Sequence, residues 1–376
     1  MKIKLVSTFP PKKCGIAEHA ERQRIALIEN GITPEKISIE ETDTSNPFYF
    51  INLAKQTAKD MNEDDVIHIQ FQLYIFGKLF WIFPGFNIIR YLKHLRKLTK
   101  AKIILELHDS PSYKYVKTKK DKAILRYYKY IYKRIKKNVD IFITHSEHGR
   151  EISMSEWGID GDRVFALPLG IINNAITLDK EESKQKLNYL GKKVLLIFGY
   201  IRLMKNYSLV LEALKHLDDN VMLLIVGNPQ KEKDYVAYNE IVNKTKELGL
   251  DNRVKMLGYV KDEEMPVIFN AADVSITLHS QGSGDFLSST MAMQLSYLIP
   301  SLSTNINSFE NIKRNEGCIE TFEENNVEDL VKKLSELLYN EDKIMLLKEK
   351  SKEYCEKYNW NNIGKKLIEI YERRYK

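Results

Sequence analysis

The sequence is short of cysteine, of long apolar runs and of glycine-rich nucleotide loops, and each shortage closes off a class of protein. Three cysteines, Cys14, Cys318 and Cys355, stand far apart and make no CxxC pair. They form no disulfide framework, and a reducing cytoplasm is expected. The longest uncharged apolar stretch, Leu79 to Ile89, is eleven residues and contains Pro84, Gly85 and Asn87. A membrane span needs ~20. The opening MKIKLVSTFPP has too short an apolar run for a signal peptide and no small-residue cleavage site, so none is expected. No low-complexity segment and no 20–50-residue period is present, which argues against repeat architectures.

What is present is a chain of 376 residues, 43% hydrophobic and 29% charged. That excludes a disordered tail or a collagen-like fibre and predicts two domains at roughly 150 residues each. The net charge of +7 is uneven. Residues 1–176 hold 29 cations against 20 anions, and 74–137 hold 18 against 3. An anionic partner for the first half is one reading; a solvated lysine-rich surface is the other.

Near-continuous apolar runs recur at Ile3–Ser7, Val66–Phe71, Ile103–Leu107, Val139–Thr144, Val194–Gly199, Val221–Gly227, Arg253–Leu257, Val274–Leu278 and Ser301–Ser303. Helical stretches alternate with them, among them Ala17–Asn30, Lys119–Lys137 and Ser208–Leu217. Runs of this kind are parallel strands buried on both faces, so the fold class is α/β with doubly wound parallel sheets. A polar stretch, Asn173 to Lys193, separates two such patterns. Two Rossmann-like domains are expected, about 1–172 and 190–355, with ligands off the carboxyl ends of the strands in an inter-domain cleft.

Four strand-to-helix loops carry candidate chemistry. The first, Thr8 to His19, contains Cys14 and Gly15 and opens a helix whose free N–H groups suit an anion. It is neither GxGxxG nor a Walker loop, which gives a dinucleotide or P-loop fold no support. The second places His108 and Asp109 at the end of a strand. His108 there serves either a substrate hydroxyl or a turn ahead of Pro111. His68 and His145 also sit in or beside strands, but their spacing makes no metal motif. The third loop sets Arg202 and Lys205 three residues apart, a natural clamp for a diphosphate. The fourth holds Gly282, Ser283, Gly284 and Asp285, followed by Ser288, Ser289 and Thr290, which suit a phosphate or a helix cap.

Taken in order, FPPKKCGIAEHAERQRIAL, LELHDSP, FITHSEHGR, LPLGI, IFGYIRLMKNYSLVLEAL, LLIVG, RVKMLGYV and AADVSITL resemble glycosyltransferase family 4, retaining nucleotide-sugar enzymes of the GT-B fold. The resemblance runs from residue 5 to about 304. It implies that Gly15 and its neighbours approach donor phosphates and acceptor, with Cys14, His19 and Asp109 on the acceptor side. It implies that His108 lies by the transferred sugar and that Arg202 and Lys205 hold the diphosphate. Gly258, Tyr259 and Val260 match the loop that contacts the nucleobase. Two family glutamates fall at Asp285, which would bond the donor sugar, and at Met293, which cannot bond a ribose.

The function so implied is retaining transfer from a nucleotide-diphosphate sugar to a glycan or lipid-linked acceptor, in cell-envelope polysaccharide or glycoconjugate synthesis. No cofactor and no metal is expected, since no Asp-x-Asp cluster follows a strand. An inactive binding homologue and a GT-B sugar-nucleotide epimerase are the alternatives, and no nucleic-acid motif occurs. A C-terminal helix, about 356–376, is expected to pack back on the first domain. Finally, 73–100 and 114–137 combine cations with apolar residues at helical spacing. This predicts a peripheral contact with an anionic membrane on its cytoplasmic face.

Overall fold

The structure is a computed structural model that describes residues 1–12, 14–40, 46–79, 83–116, 118–172, 175–280 and 289–373. Its contacts divide it into two units. One holds Met1–Gly170 and Trp360–Lys376, and the other holds the described residues between Ile171 and Asn359.

In the first unit, strands β1 (Ile3–Ser7), β2 (Glu35–Ser38) and β3 (Val66–Phe71) are separated by α1 (Gly15–Glu29) and α2 (Pro47–Ala58). A hairpin follows, β4 (Lys78–Leu79) with β5 (Phe83–Pro84), then α3 (Asn87–Leu98), β6 (Lys102–Leu107), α4 (Lys119–Ile135), β7 (Ile141–Thr144), α5 (Glu147–Ser155) and β8 (Val164–Ala166). Six strands pair in parallel in the order β2-β1-β3-β6-β7-β8. Four of these helices, α1, α2, α4 and α5, start where a side chain satisfies one of their first N–H groups. Thr118 and Asp121 form a reciprocal capping box on α4, and Cys14 Sγ accepts from Ala17 N at the head of α1.

The two faces of this sheet differ. Residues alternate sides along a strand. Ile67, Ile69, Ile103 and Leu105 join Leu53, Tyr91, Leu92 and Ile131 in one apolar core. Each such aliphatic side chain contributes about 1.5–3 kcal/mol when fully buried. The intervening residues His68, Gln70 and Glu106 are buried as well, on the side met by α1.

The second unit repeats the pattern with α6 (Lys180–Lys186), β9 (Lys193–Phe198), α7 (Tyr207–Lys215), β10 (Val221–Val226), α8 (Tyr235–Glu247), β11 (Val254–Gly258), α9 (Met265–Ala271) and β12 (Val274–Thr277). It continues through α10 (Ser289–Ser296), β13 (Ser301–Thr304), α11 (Asn307–Glu316), β14 (Glu320–Phe322), α12 (Val327–Tyr339) and α13 (Glu341–Lys357). Its parallel order is β11-β10-β9-β12-β13-β14.

The chain then returns to the first unit as α14 (Trp360–Glu372), which packs on α1. The approach is close. A Cβ on Gly364 would lie 2.7 Å from Ala26 O, and one on Gly170 would lie 2.3 Å from the Trp360 ring. Asn30 Nδ2 donates to Asn361 Oδ1 at 2.7 Å, and the Tyr371 hydroxyl lies 2.6 Å from His68 Nδ1.

Two sequence expectations need correction. The short strands β2, β8 and β14 are outer strands of their sheets and, at three or four residues, are too short to register as runs; only Ile37 of β2 is buried. The apolar stripe of α3 does not face outward either. Ile88, Leu92 and Leu95 are fully buried in the first core, as is Phe76, which leaves Tyr74, Leu98 and basic positions such as Lys93 and Lys97 exposed among the described residues of 73–100. Residues 80–82 and 117 of the two basic segments lie outside the described residues.

Gly364→Ala places a methyl against the α1 backbone, and overpacking of this kind costs about 1–3 kcal/mol. The expected result is a lower melting temperature together with faster protease cleavage near 360, read by scanning calorimetry and limited proteolysis. Unchanged melting would mean that α14 yields freely.

Candidate active site

The first unit gathers its polar side chains around one carboxylate. Gln70 and Glu106 are register partners on β3 and β6, so their side chains share a face. Glu106 Oε2 accepts from Gln23 Nε2 and Gln70 Nε2, both at 2.8 Å, and His68 Nε2 lies 2.8 Å from the same oxygen. His19 Nε2 donates to Oε1 at 2.9 Å, and His145 Nε2 is 3.6 Å from it. Burial opposes the charge, yet His19 and His68 hold the Glu106 carboxyl well below the usual carboxylate range.

His108 follows two residues later, at the end of β6. Its Nε2 donates to Gln70 Oε1, because the Gln70 amide nitrogen is already donating to Gln23 and Glu106. Its ring is 5.1 Å from that of His19 and 4.9 Å from that of His145. Burial, then the neighbouring His145 and His19, push His108 well below the ordinary histidine range. Burial likewise pushes His145 down to about 4, against the pull of Glu106. Both rings are therefore neutral at pH 7. Asp109 is raised by burial, with a hydrogen bond to Gln72 opposing the shift.

In the second unit three adjacent strands end in glycines of positive φ: Gly199 at 100°, Gly227 at 137° and Gly258 at 67°. Gly199 N donates to Val226 O at 2.9 Å and Gly227 N to Gly258 O at 2.8 Å. A Cβ on Gly227 would fall 2.2 Å from Gly199 O, so the loops close up only as glycine. The loop after Gly199 carries both cations. Arg202 is exposed and donates to Gln230 Oε1 at 3.1 Å; Lys205 is half-buried and donates to Tyr200 O at 3.0 Å. Asn206 then caps α7 through Leu209 N. Burial and the adjacent Arg202 push the Lys205 ammonium down to about 8. Burial, followed by Lys205 and Arg202, pushes His279 down to about 3. Positive charge is thus crowded around a neutral imidazole, an arrangement that an incoming anion relieves.

The sequence-derived candidates distribute as follows. Gly15 opens α1 with no atom within 4 Å of a built Cβ, and Cys14 is that helix's cap. His19 is buried beneath His108. Thr290, on the first turn of α10, faces Gly199: its Oγ1 lies 2.9 Å from where a Gly199 Cβ would stand. Ser289 beside it is exposed. Tyr259 is 73% exposed, whereas the Val260 side chain belongs to an apolar cluster. Met293 packs against that cluster too. Gly282, Ser283, Gly284 and Asp285 lie outside the described residues. Sequence reasoning passed over Glu106, Gln70, Gln23 and His279. A signal for the first two was there: polar residues at alternate positions of strands otherwise apolar, in VIHIQF and KIILEL.

Comparison with known proteins agrees with this architecture. Residues 179–359 match the family of glycosyl transferases group 1. Mannosylfructose-phosphate synthase of Agrobacterium fabrum is 24% identical over 151 residues, 38% of this chain and 33% of that protein. The chain thus spans about a third of the length of the curated relative it matches. Among solved structures, Anabaena HepE in complex with UDP is 13% identical, with a TM-score of 0.75 over 98% of this chain and 99% of that one. A glycosyltransferase from Rickettsia africae is 18% identical, with a TM-score of 0.73 over 98% of each chain. Sucrose-phosphate synthase of Thermosynechococcus elongatus is 15% identical, with a TM-score of 0.74 over 99% and 98%. The shared fold is GT-B.

Removing the central carboxylate tests the first cluster. Glu106→Ala leaves two glutamine amides and the imidazoles without their acceptor, and breaking a buried ionic group costs about 3–5 kcal/mol. Urea unfolding followed by tryptophan fluorescence is expected to show a loss of that order, with Glu106→Gln milder. A loss under about 1 kcal/mol for Glu106→Ala would show that the surrounding groups repack without it.

Proposed function

We propose that the chain is a retaining, metal-independent hexosyltransferase that moves a sugar from a nucleotide-diphosphate donor to a glycan or lipid-linked acceptor, in the synthesis of envelope polysaccharide or glycoconjugate. The observation that carries this reading is the Arg202–Lys205 pair at the end of β9, where a half-buried ammonium sits beside a guanidinium with no carboxylate among the interactions described for either. A diphosphate supplies the missing negative charge, and the pair stabilises the charge that grows on it as the glycosidic bond breaks. Arg202 binds as a planar fork and Lys205 as a point charge. The glycines at 199, 227 and 258 let a nucleotide come against bare backbone, and Thr290 adds a hydroxyl. His108 acts on the transferred sugar, and Asp285 reads its hydroxyls. That HepE is solved with UDP and with UDP-glucose makes these the first ligands to try.

Arg202→Ala and Lys205→Ala are each expected to lower turnover about 100- to 1000-fold with the fold intact. The pH dependence has a sign. Lys205 loses its proton as pH rises through about 8, so UDP affinity falls between about pH 7 and about pH 9 while Arg202 stays charged. Lys205→Met removes that step. Calorimetric titration with UDP checks both; wild-type turnover in the alanine variants, or a flat affinity profile in the parent, removes the clamp from the mechanism.

A second reading is favoured by Met293, which joins an apolar cluster where the family resemblance calls for a carboxylate toward the ribose. On this reading the protein is a catalytically weak or inactive homologue that binds a nucleotide sugar. UDP-glucose binding with neither transfer nor slow hydrolysis would select it.

We infer that membrane attachment is electrostatic. With most of the apolar stripe of α3 in the core, Lys93 and Lys97 and the cations of α4 remain as the contact, each contributing about 1 kcal/mol near an anionic leaflet, whereas Arg96 is already paired with Asp140. Among the described residues no helix is long and apolar enough to cross a membrane. Co-sedimentation is expected with phosphatidylglycerol vesicles and not with phosphatidylcholine, and it should vanish at high salt. Absence of binding at low salt would leave a soluble acceptor.

A further inference from the structure

We propose that the first unit binds one zinc-type divalent ion through His19, Glu106, His108 and His145. One ligand atom from each of these residues lies within 4.8 Å of all the others, and no other such group of histidine, cysteine, aspartate and glutamate occurs among the described residues. Four ligands at the usual zinc distances are about 3.3–3.5 Å apart. Two of the separations here are 2.9 Å, from His19 to Glu106, and 3.6 Å, from His145 to Glu106. The ion replaces the His19–Glu106 hydrogen bond, and the rings close by small rotations.

The outer hydrogen bonds prepare the lone pairs. His145 Nδ1 donates to Leu167 O at 3.3 Å, which leaves Nε2 unprotonated in the neutral ring. That Nε2 is buried and makes no hydrogen bond. His108 Nε2 donates to Gln70 Oε1, which leaves its Nδ1 unprotonated. A ligating histidine that donates its other N–H to a carbonyl oxygen is the usual supporting arrangement for a metal. The carboxylate is held in the same way: Gln23 and Gln70 both occupy Oε2, and Oε1 is the oxygen turned toward His19 and His145. Three imidazoles and one carboxylate suit zinc and its neighbours, whereas magnesium and calcium prefer all-oxygen shells. His19, Glu106 and His145 are buried and His108 is partly exposed, so the ion enters from the His108 side.

The spacing of positions 19, 106, 108 and 145 matches no metal motif, and only the sheet brings them together. The site does not rest on the transfer reading. With Nε2 on Gln70 and Nδ1 on the ion, His108 has no nitrogen left for a sugar, so it serves the transfer only in the metal-free protein.

The test uses the full chain, stripped with dipicolinate and then titrated. Cobalt is expected to bind at one equivalent with the visible band of a tetrahedral site. Zinc is expected to displace it and magnesium is not. X-ray absorption at the zinc edge of the unaltered protein is expected to show three imidazoles. His145→Ala and Glu106→Gln, scored where circular dichroism matches the parent, are expected to lower zinc affinity at least about 10- to 100-fold. No cobalt band in excess metal, fewer than two imidazoles in the absorption spectrum, or parental affinity in both folded variants would each overturn the site. The spectrum of the unaltered protein decides the matter even if the variants do not fold.

Discussion

The carboxylate of Glu106 is a full charge inside a parallel sheet, and the first unit is arranged to keep it paired. An ion in that position is tolerable only with hydrogen bonds to both oxygens. They come from His19 and Gln23 of α1 and Gln70 of β3, with His68 and His145 close by. The polar network orients α1, and through α1 the Cys14–Gly15 turn that heads it. It also fixes the tautomer of His108, since Gln70 has only its oxygen left to offer. One face of the sheet supplies apolar burial; the other supplies orientation.

The second unit solves the opposite problem. Its candidate site is not a charge fully matched within the fold but cations left short of carboxylate neighbours. Three strand ends close on glycine, so the loops lie against one another with little side-chain bulk, and Arg202 and Lys205 are raised on the loop that follows. The low proton affinity of Lys205 and the neutrality of His279 are two expressions of the same crowding. A site pre-charged in this way has part of its binding energy built in before a ligand arrives.

Most of this fold was legible in the sequence because central parallel strands are buried on both faces and leave continuous apolar runs. VLLIF and VMLLIV are unmistakable in that respect. EKIS is not: it lies at the sheet margin and buries one residue in four. The diphosphate clamp was legible because its two cations are close in sequence and follow a strand. The histidine–glutamate cluster was not, because its members are spread from residue 19 to residue 145 and no local pattern connects them. The α3 stripe misled for a related reason. A helix that docks on a sheet and one that lies in a lipid interface show the same periodicity, and only the packing of Ile88, Leu92 and Leu95 tells them apart.

The return of α14 to the first unit also sets an order of events during synthesis. Everything from Ile171 to Asn359 is translated between the first unit's last strand and its last helix. At ~5–20 residues per second that interval is on the order of 10–40 s. Throughout it, the α1 surface that receives Gly364 stays uncovered, Gly170 waits for the indole of Trp360, and His68 waits for the Tyr371 hydroxyl. The first unit is therefore completed only after all of the second has been translated.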